Sequence, residues 1–242
     1  MTRPPRPLVI AHRGASAQRP ENTLGAFALA IEQSADMIET DLHRTRDGAV
    51  VITHDESLAG LGGRGEIADA TLAEVRALDA GGGARVPTLD EVLDAFGARV
   101  AWNLELKRGT RADYAGLEAL ALDAVARRGL SERVLFSSFY DPVLARLRAL
   151  APQARIGLLL ARRSAQSALE RARSLGAEAI HPEAALVEPG LVERAHAAGL
   201  AVYPFTVDDE AEMRHLLAIG VDGLFSNHPD RLRAIIEGGR AA

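Results

Sequence analysis

Residues 39–55 read ETDLHRTRDGAVVITHD, and the fold turns on how this stretch is paired. Two apolar-rich runs, 37–42 (MIETDL) and 49–54 (AVVITH), flank Arg46-Asp47-Gly48 with no room for a helix between them. Asp-Gly between two such runs is a strong hairpin-turn signal, whereas parallel neighbours need a crossover of about a dozen residues. The run 49–54 is therefore expected to be an antiparallel return arm of the strand 37–42, outside the main sheet.

Outward from this hairpin, short apolar runs alternate with helical patterns. Besides the return arm, strands are expected at 8–12, 37–42, 100–106, 133–138, 155–160, 178–181, 201–206 and 223–226. Helices are expected near 22–35, 89–97, 112–129, 141–151, 164–175, 189–198, 209–219 and 229–237. Pro189, Pro229 and the pair Asp141-Pro142 are good helix starts. Such alternation argues for parallel βαβ units. Eight strand–helix pairs in 242 residues suit an α/β chain folded as a (β/α)8 TIM barrel. An open, doubly wound sheet is the structural alternative. Residues 1–242 are expected to form a single barrel domain, with an insertion at about 56–88 between the strand 37–42 and the helix 89–97. That insertion is glycine-rich, carries one short helical pattern at 71–79, and is expected over the barrel mouth. A surface excursion without a role is the plainer reading.

Bulk composition removes several function classes. A net charge of −5 speaks against a nucleic-acid partner held by a general basic field. The chain has no cysteine, which excludes disulfides, thiol catalysis and Cys-ligated zinc. No apolar stretch approaches the roughly 20 residues of a membrane span. The opening MTRPPRP runs straight into the first strand with no space for a signal peptide, so a soluble cytoplasmic protein is expected. Among the 28 Lys and Arg residues Lys107 is the only lysine, so a compact, rotatable ammonium is singled out at that position.

In a barrel of this kind the reactive face lies at the strands' C-terminal ends. LVIAHRGASA (8–17) runs an apolar strand into His12, Arg13 and Gly14. Glu39 and Asp41, two apart, share one face of their strand. So do Asn103, Glu105 and Lys107, which places Trp102, Leu104 and Leu106 against the helices. With Asp47-Gly48 as a two-residue turn, 46 pairs with 49 and 41 with 54, so His54 stands opposite Asp41. A slip of one residue would turn His54 to the other face. Three carboxylates offer oxygen ligands alone, which suits Mg²⁺ or Ca²⁺. Two histidines can give and take protons in one turnover, Arg13 can grip a phosphate, and Lys107 can neutralise developing charge. Together these parts describe metal-assisted phosphoryl transfer. Taken singly they have plainer readings: a solvated strand-end His, or an acid paired with a nearby Arg. Lys107 alone would also fit a Schiff-base aldolase. His43, His196, His215 and His228 are read as ordinary structural or surface histidines, and His181 as a second-rank candidate.

HRG (12–14), PENT (20–23), ETDLHRTRDGAVVITHD (39–55), NLELK (103–107) and GVDGLFSNHPD (220–230) occur in this order along nearly the whole chain. With weaker echoes at PTLDEVL (87–93) and SSF (137–139), the chain resembles the glycerophosphodiester phosphodiesterase family. The resemblance implies a barrel with a small insertion, a divalent cation, and hydrolysis of a small-molecule glycerophosphodiester to glycerol phosphate and an alcohol. It implies His12 and His54 as the acid/base pair and Glu39, Asp41 and Glu105 as metal ligands. Arg13 would be a phosphate ligand, and Lys107 would lie near the phosphate. The family's similarity to bacterial phosphoinositide phospholipases suggests attack by the substrate's own glycerol hydroxyl, through a cyclic phosphate. The chain departs from the family pattern at SLAGLGGRG after His54-Asp55, at Phe205-Thr206, where a Trp usually precedes Thr, and at Asn227, where Asp is common. Phe205 is taken as a substrate contact. All three departures are expected to border the mouth without touching the core set.

Two other functions compete. The same barrel acting on lysophospholipids, releasing the headgroup, would need an apolar rim, for which LAGLGG (58–63) offers only two leucines. A degenerate barrel that only binds a ligand or partner would need broken motifs, and the core positions are intact. The sequence leaves the headgroup and the oligomeric state open.

Overall fold

The computed structural model describes residues 6–162 and 167–238. The first five residues of MTRPPRP, and the opening of the helix expected from 164, lie outside the described residues. Along the chain run β1 (Leu8–His12), α1 (Leu24–Glu32), β2 (Met37–Arg44), β3 (Val50–Ile52), α2 (Leu72–Arg76), α3 (Leu89–Phe96) and β4 (Ala101–Leu106). They are followed by α4 (Leu117–Ala126), β5 (Val134–Ser138), α5 (Asp141–Leu150), β6 (Arg155–Leu160) and α6 (Ala168–Ser174). The rest is β7 (Ala179–Pro182), α7 (Pro189–Ala197), β8 (Ala201–Val202), α8 (Glu210–Ile219), β9 (Gly223–Ser226) and α9 (Pro229–Gly238).

Parallel pairing gives the order β8-β7-β6-β5-β4-β2-β1-β9, with β3 paired to β2 off this path. Backbone bonds from Asp222 N to Val202 O (3.0 Å), Phe225 N to Pro204 O (2.9 Å) and Val207 N to Phe225 O (2.8 Å) span the gap between β9 and β8. Eight parallel strands thus form a nearly closed (β/α)8 barrel. The expected strand 201–206 shortens to Ala201–Val202 for a clear reason. Pro182 and Pro204 stand where the β7 and β9 ladders need a donor, and proline has none. Tyr203 N still reaches Ile180 O (3.0 Å) and Phe205 N reaches Pro182 O (3.0 Å), so the chain keeps its course without a regular ladder.

Pleat alternation sorts the side chains. Trp102, Leu104 and Leu106 of β4 enter the main core between barrel and helices, where Phe27 of α1 meets Trp102 edge-on at 5.4 Å. The lower interior of the barrel is filled by Ile10, Met37, Leu135, Ala179, Tyr203 and Phe225.

The hairpin forms, with a different turn and register from those expected. Leu42 pairs with Ile52, His43 with Val51 and Arg44 with Val50, one residue off the expected 41/54 alignment. Thr45 N donates to Ala49 O (2.9 Å) and Gly48 N to Thr45 O (3.0 Å), so the loop has three residues, Arg46 to Gly48. Gly48 takes the left-handed conformation (φ 91°) that closes such a loop. Asp41 therefore lies opposite Thr53, whose N–H donates to Asp41 O at 3.3 Å.

Beyond β3 the insertion builds its own small core from Val51, Leu58, Ile67, Ala70, Val75 and Val86. Leu58 is buried in this cluster and Leu61, partly buried, packs against it, so LAGLGG leaves a single partly exposed leucine at the surface. The helix expected over 112–129 begins only at Leu117. Residues 107–116 instead form a loop tied to the insertion, with Thr110 N on Glu56 Oε2 (2.6 Å) and Arg111 paired with Glu66 and Asp69. No helix among the described residues is long and apolar enough to cross a membrane.

Candidate active site

Register places the polar residues in two layers at the top of the barrel. His12 aligns with Glu39 and Glu39 with Asn103; one step higher, Asp41 aligns with Glu105. Ligand oxygens of Glu39, Asp41 and Glu105 all lie within 4.8 Å of one another, and all three residues are buried. Lys107 Nζ lies 2.8 Å from Asp41 Oδ1 and 2.7 Å from Glu105 Oε1. Asn22 Nδ2 donates to Asp41 Oδ2 (2.9 Å) and accepts Thr40 Oγ1 on its own oxygen (2.7 Å), so it fixes the second Asp41 oxygen.

Burial shapes the electrostatics. It pushes Glu39 well above the usual carboxylate range, helped by the neighbouring Asp41 and Glu105. Burial also raises Glu105, although Lys107 pulls the other way. Asp41 is the exception: against its burial, the Lys107 ammonium and the Arg13 guanidinium hold it well below the usual range. Lys107 is likewise kept protonated, since Glu105 and Asp41 outweigh its burial. A fixed ammonium is a poor Schiff-base nucleophile, which removes support for the aldolase reading. Three buried carboxylates, two of them raised by burial and mutual repulsion, form an all-oxygen donor set. That set fits a hard divalent cation, and Glu39, Asp41 and Glu105 are the residues that could hold it.

Beside the carboxylates, His12 and Arg13 leave the end of β1. Arg13 (φ 57°) and Gly14 (φ 85°) both take left-handed backbone, and a Cβ on Gly14 would lie 2.7 Å from the Ala26 carbonyl carbon. Only glycine allows α1 to pack this close. Arg13 N donates to Glu39 O (3.0 Å), which pins the turn to β2. The Arg13 side chain pairs through Nη1 with Glu21 (3.0 Å) and lies with Nε 3.5 Å from Asp41 Oδ2. His12 Nε2 faces Glu39 Oε2 at 3.9 Å, and its Nδ1 meets Asn227 Oδ1 at 2.8 Å. Burial, reinforced by the Arg13 charge, lowers the His12 pKa to about 4.

His54 reaches the same cavity by another route than the hairpin register predicted. β3 ends at Ile52, so pleat alternation no longer governs residue 54. Its ring is held by Asp55, whose Oδ1 lies 2.8 Å from Nδ1. Its carbonyl is held by His43 Nε2 at 3.1 Å. A carbonyl only accepts, so His43 carries its proton on Nε2, and Nδ1 accepts from Tyr114 Oη at 2.7 Å. Burial lowers the His43 pKa to about 4, which keeps this bridge neutral.

His12, Arg13, Glu39, His54, Glu105, Lys107 and Phe205 line one cavity of about 180 Å³, together with Asn103, Phe139, Leu159, Thr206 and Phe225. Phe205 meets Phe139 edge-on at 5.8 Å, and the two form an apolar wall of this cavity. A second cavity, about 490 Å³, lies between the insertion and the loop after β1, with Glu21, Asn22, Thr53, Asp55 and Asp79 among its lining. His181 is not part of either; it is fully buried among Tyr203 and Phe225. The sequence reading passed over Asn22, Asp55 and Asn227 as site residues, although each lies in a quoted motif. It also placed Asn227 clear of the core set, whereas the structure puts it directly on His12.

This geometry has close counterparts. Residues 12–231 match the glycerophosphoryl diester phosphodiesterase family. A glycerophosphodiester phosphodiesterase of Caldanaerobacter subterraneus is 37% identical over 245 residues, covering 96% of this chain and 98% of that one. A phosphodiesterase of Oleispira antarctica, solved with its product sn-glycerol-3-phosphate, superposes with a TM-score of 0.83 at 33% identity, over 96% of this chain and 97% of its own. The glycerophosphodiester phosphodiesterase of Agrobacterium tumefaciens superposes with a TM-score of 0.82 at 31% identity, over 93% of this chain and 98% of its own. With the barrel, the acidic cluster and the flanking histidines all set by its own residues, the chain belongs to the glycerophosphoryl diester phosphodiesterase family of enzymes.

Proposed function

We propose that this enzyme hydrolyses glycerophosphodiesters to glycerol phosphate and an alcohol, with His12 and His54 as the acid/base pair and a divalent cation, Mg²⁺ or Ca²⁺, at Glu39, Asp41 and Glu105. The observation that carries the reading is that His12, His54, Glu39 and Glu105, with Arg13 and Lys107, line one cavity of about 180 Å³, while an Asp41 oxygen lies within 4.8 Å of those of Glu39 and Glu105. That volume suits a glycerol phosphate group and leaves the alcohol to face the mouth. A bound cation would supply Lewis-acid stabilisation of charge growing on the phosphoryl oxygens.

The chain's own residues carry the remaining work. Arg13 holds a non-bridging phosphate oxygen through the donors that Glu21 leaves free. His12, neutral near pH 7, takes the proton from the glycerol C2 hydroxyl as that oxygen attacks phosphorus. His54 gives a proton to the departing alcohol oxygen. The two exchange roles when water opens the cyclic phosphate. Lys107 stays protonated and meets the charge that develops.

Turnover of a panel of glycerophosphodiesters and lysophospholipids tests the reading. We expect glycerophosphodiesters to be cleaved, activity to vanish in excess chelator after dialysis, and Mg²⁺ or Ca²⁺ to restore it. His12→Ala and His54→Ala should each lower kcat by about 10²–10⁴-fold. Full turnover in chelator overturns the metal assignment, and an unchanged His54→Ala rate overturns that residue's role. The lysophospholipid alternative has little support from the rim, because Leu58 is buried in the insertion core and Leu61 alone is partly exposed.

A further inference from the structure

His12 can act as a base only if its lone pair is on the nitrogen that faces the substrate. Nothing in an isolated imidazole guarantees this, since the neutral ring carries its proton on either nitrogen. Here the choice is made outside the catalytic set, by a chain of hydrogen bonds running back to Asp208.

Asp208 Oδ1 accepts from Asn227 N (2.8 Å) and from Ser226 Oγ (3.0 Å). Its other oxygen, Oδ2, lies 2.6 Å from the Asn227 side chain. A carboxylate has no donor, so the Asn227 group turned towards it is the amide NH₂. The amide oxygen then faces the opposite way, 2.8 Å from His12 Nδ1. The Ser16 hydroxyl lies 2.8 Å from the same oxygen and 2.7 Å from the His12 carbonyl, so it ties the amide to the β1 turn. An amide oxygen has no proton to give, so His12 must carry its proton on Nδ1. Nε2, the nitrogen facing Glu39 and the cavity, is left with the lone pair.

We propose that Asn227 and Asp208 are positioning residues that lock the tautomer and ring orientation of His12: Asp208 fixes which way the Asn227 amide points, and the amide oxygen fixes which His12 nitrogen is free. The proposal rests on the reading of His12 as an acid/base residue. An asparagine, whose two ends differ only in donor or acceptor character, sets the tautomer only when something outside it sets the amide. Asp208 does this, at the start of the segment leading into α8. His54 has the simpler arrangement, with a carboxylate directly on Nδ1. The two histidines are thus oriented by chemically different partners.

Three variants and one spectroscopic measurement test the lock. Protein labelled with ¹⁵N in its histidine rings should show His12 at neutral pH with a pyrrole-type Nδ1 and a pyridine-type Nε2. In Asp208→Asn the Asn227 amide is free to rotate, and the His12 signals should move to a mixture of tautomers. Its kcat should fall at least tenfold while KM changes less than threefold. Asn227→Leu, which removes the acceptor at similar volume, should do the same. The exchange Asp208→Asn with Asn227→Asp restores an acceptor towards Nδ1 and a donor behind it at unchanged net charge. It should recover the tautomer and most of the lost kcat. Unchanged His12 signals and wild-type kcat in both single variants would overturn the lock while His12→Ala remains inactive. An active His12→Ala would instead overturn the acid/base reading itself. Loss of kcat in the exchanged pair as deep as in Asp208→Asn would show that the two residues serve packing alone.

Discussion

At the scale of single residues, Lys107 shows how a compact charge differs from a planar one. Its ammonium lies between Asp41 Oδ1 (2.8 Å) and Glu105 Oε1 (2.7 Å), and it is mostly buried. The other 27 of the 28 Lys and Arg residues are arginine. A guanidinium is wider, and its donors are set in a fixed plane, so it cannot touch both carboxylates from one point without displacing one of them. Lys107→Arg is therefore expected to lower kcat by about tenfold or more, and Lys107→Ala by about 10²–10³-fold, the loss typical of removing one stabilising donor. On the proposed role, in which the ammonium meets charge that grows during the reaction, KM should change less than kcat. Steady-state kinetics of both variants, with urea unfolding as the folding control, provide the check. A Lys107→Arg enzyme with wild-type kcat would mean that any cation suffices there.

At the scale of elements, the top of the barrel carries chemistry and the bottom carries latches. Asp36, just before β2, accepts from Arg6 (3.0 and 2.7 Å), from Val9 N (2.9 Å) and from Arg233 of α9 (2.7 Å). It thus ties β1, β2 and the last helix together. Removing the carboxylate leaves the nearly buried Arg233 and the Val9 N–H without this acceptor, so Asp36→Ala should cost about 2–4 kcal/mol in urea unfolding. Activity of the folded fraction should persist, since no cavity residue moves; a large loss of kcat with no loss of stability would contradict this division. Most elements were legible because periodicity and helix starts are local properties. The hairpin register was not, because a two-residue and a three-residue loop through Arg46-Asp47-Gly48 differ only in whether Gly48 closes a turn from Thr45. Nor was the shortening of β8, which depends on where Pro182 and Pro204 fall against neighbouring strands. The convergence of His12, Glu39, Asp41, Glu105 and Lys107 was legible because they fall at or next to strand ends, whereas His54, two residues past the end of β3, reaches the cavity through its loop. Asn227 and Asp55 were passed over because their work is to orient another side chain, and that is visible only once partners and distances are known.

At the scale of the whole molecule, the barrel holds three histidines in a neutral state. Burial lowers His181 to about 3 and His43 to about 4, and burial with the Arg13 charge lowers His12 to about 4. His181 is the extreme case: its ring is fully buried over Gly157, where a Cβ would lie 2.5 Å from the imidazole, and neither ring nitrogen has a hydrogen-bond partner among the described residues. The sign of its effect follows from proton counting. Above about pH 6.5 folded and unfolded chains both keep this ring neutral, so the stability is fully present. As pH falls below that, the unfolded chain binds a proton that the folded chain refuses until about pH 3, and stability is lost across the interval. Glu39 and Glu105, raised in the folded state, act in the opposite sense, so the total pH profile mixes both. Comparison with His181→Leu removes that mixture, because the variant keeps every carboxylate. At pH 7 the two proteins should differ by less than about 1.5 kcal/mol, since the swap is near in volume and removes two unpaired polar atoms. Between pH 7 and pH 4 the variant should gain about 3 kcal/mol relative to the parent, about 1.4 kcal/mol per pH unit below 6.5. Urea midpoints measured across that range give the difference directly. Parallel curves for the two proteins would mean that His181 takes up its proton without unfolding, and that the barrel interior admits charge where its packing says it should not.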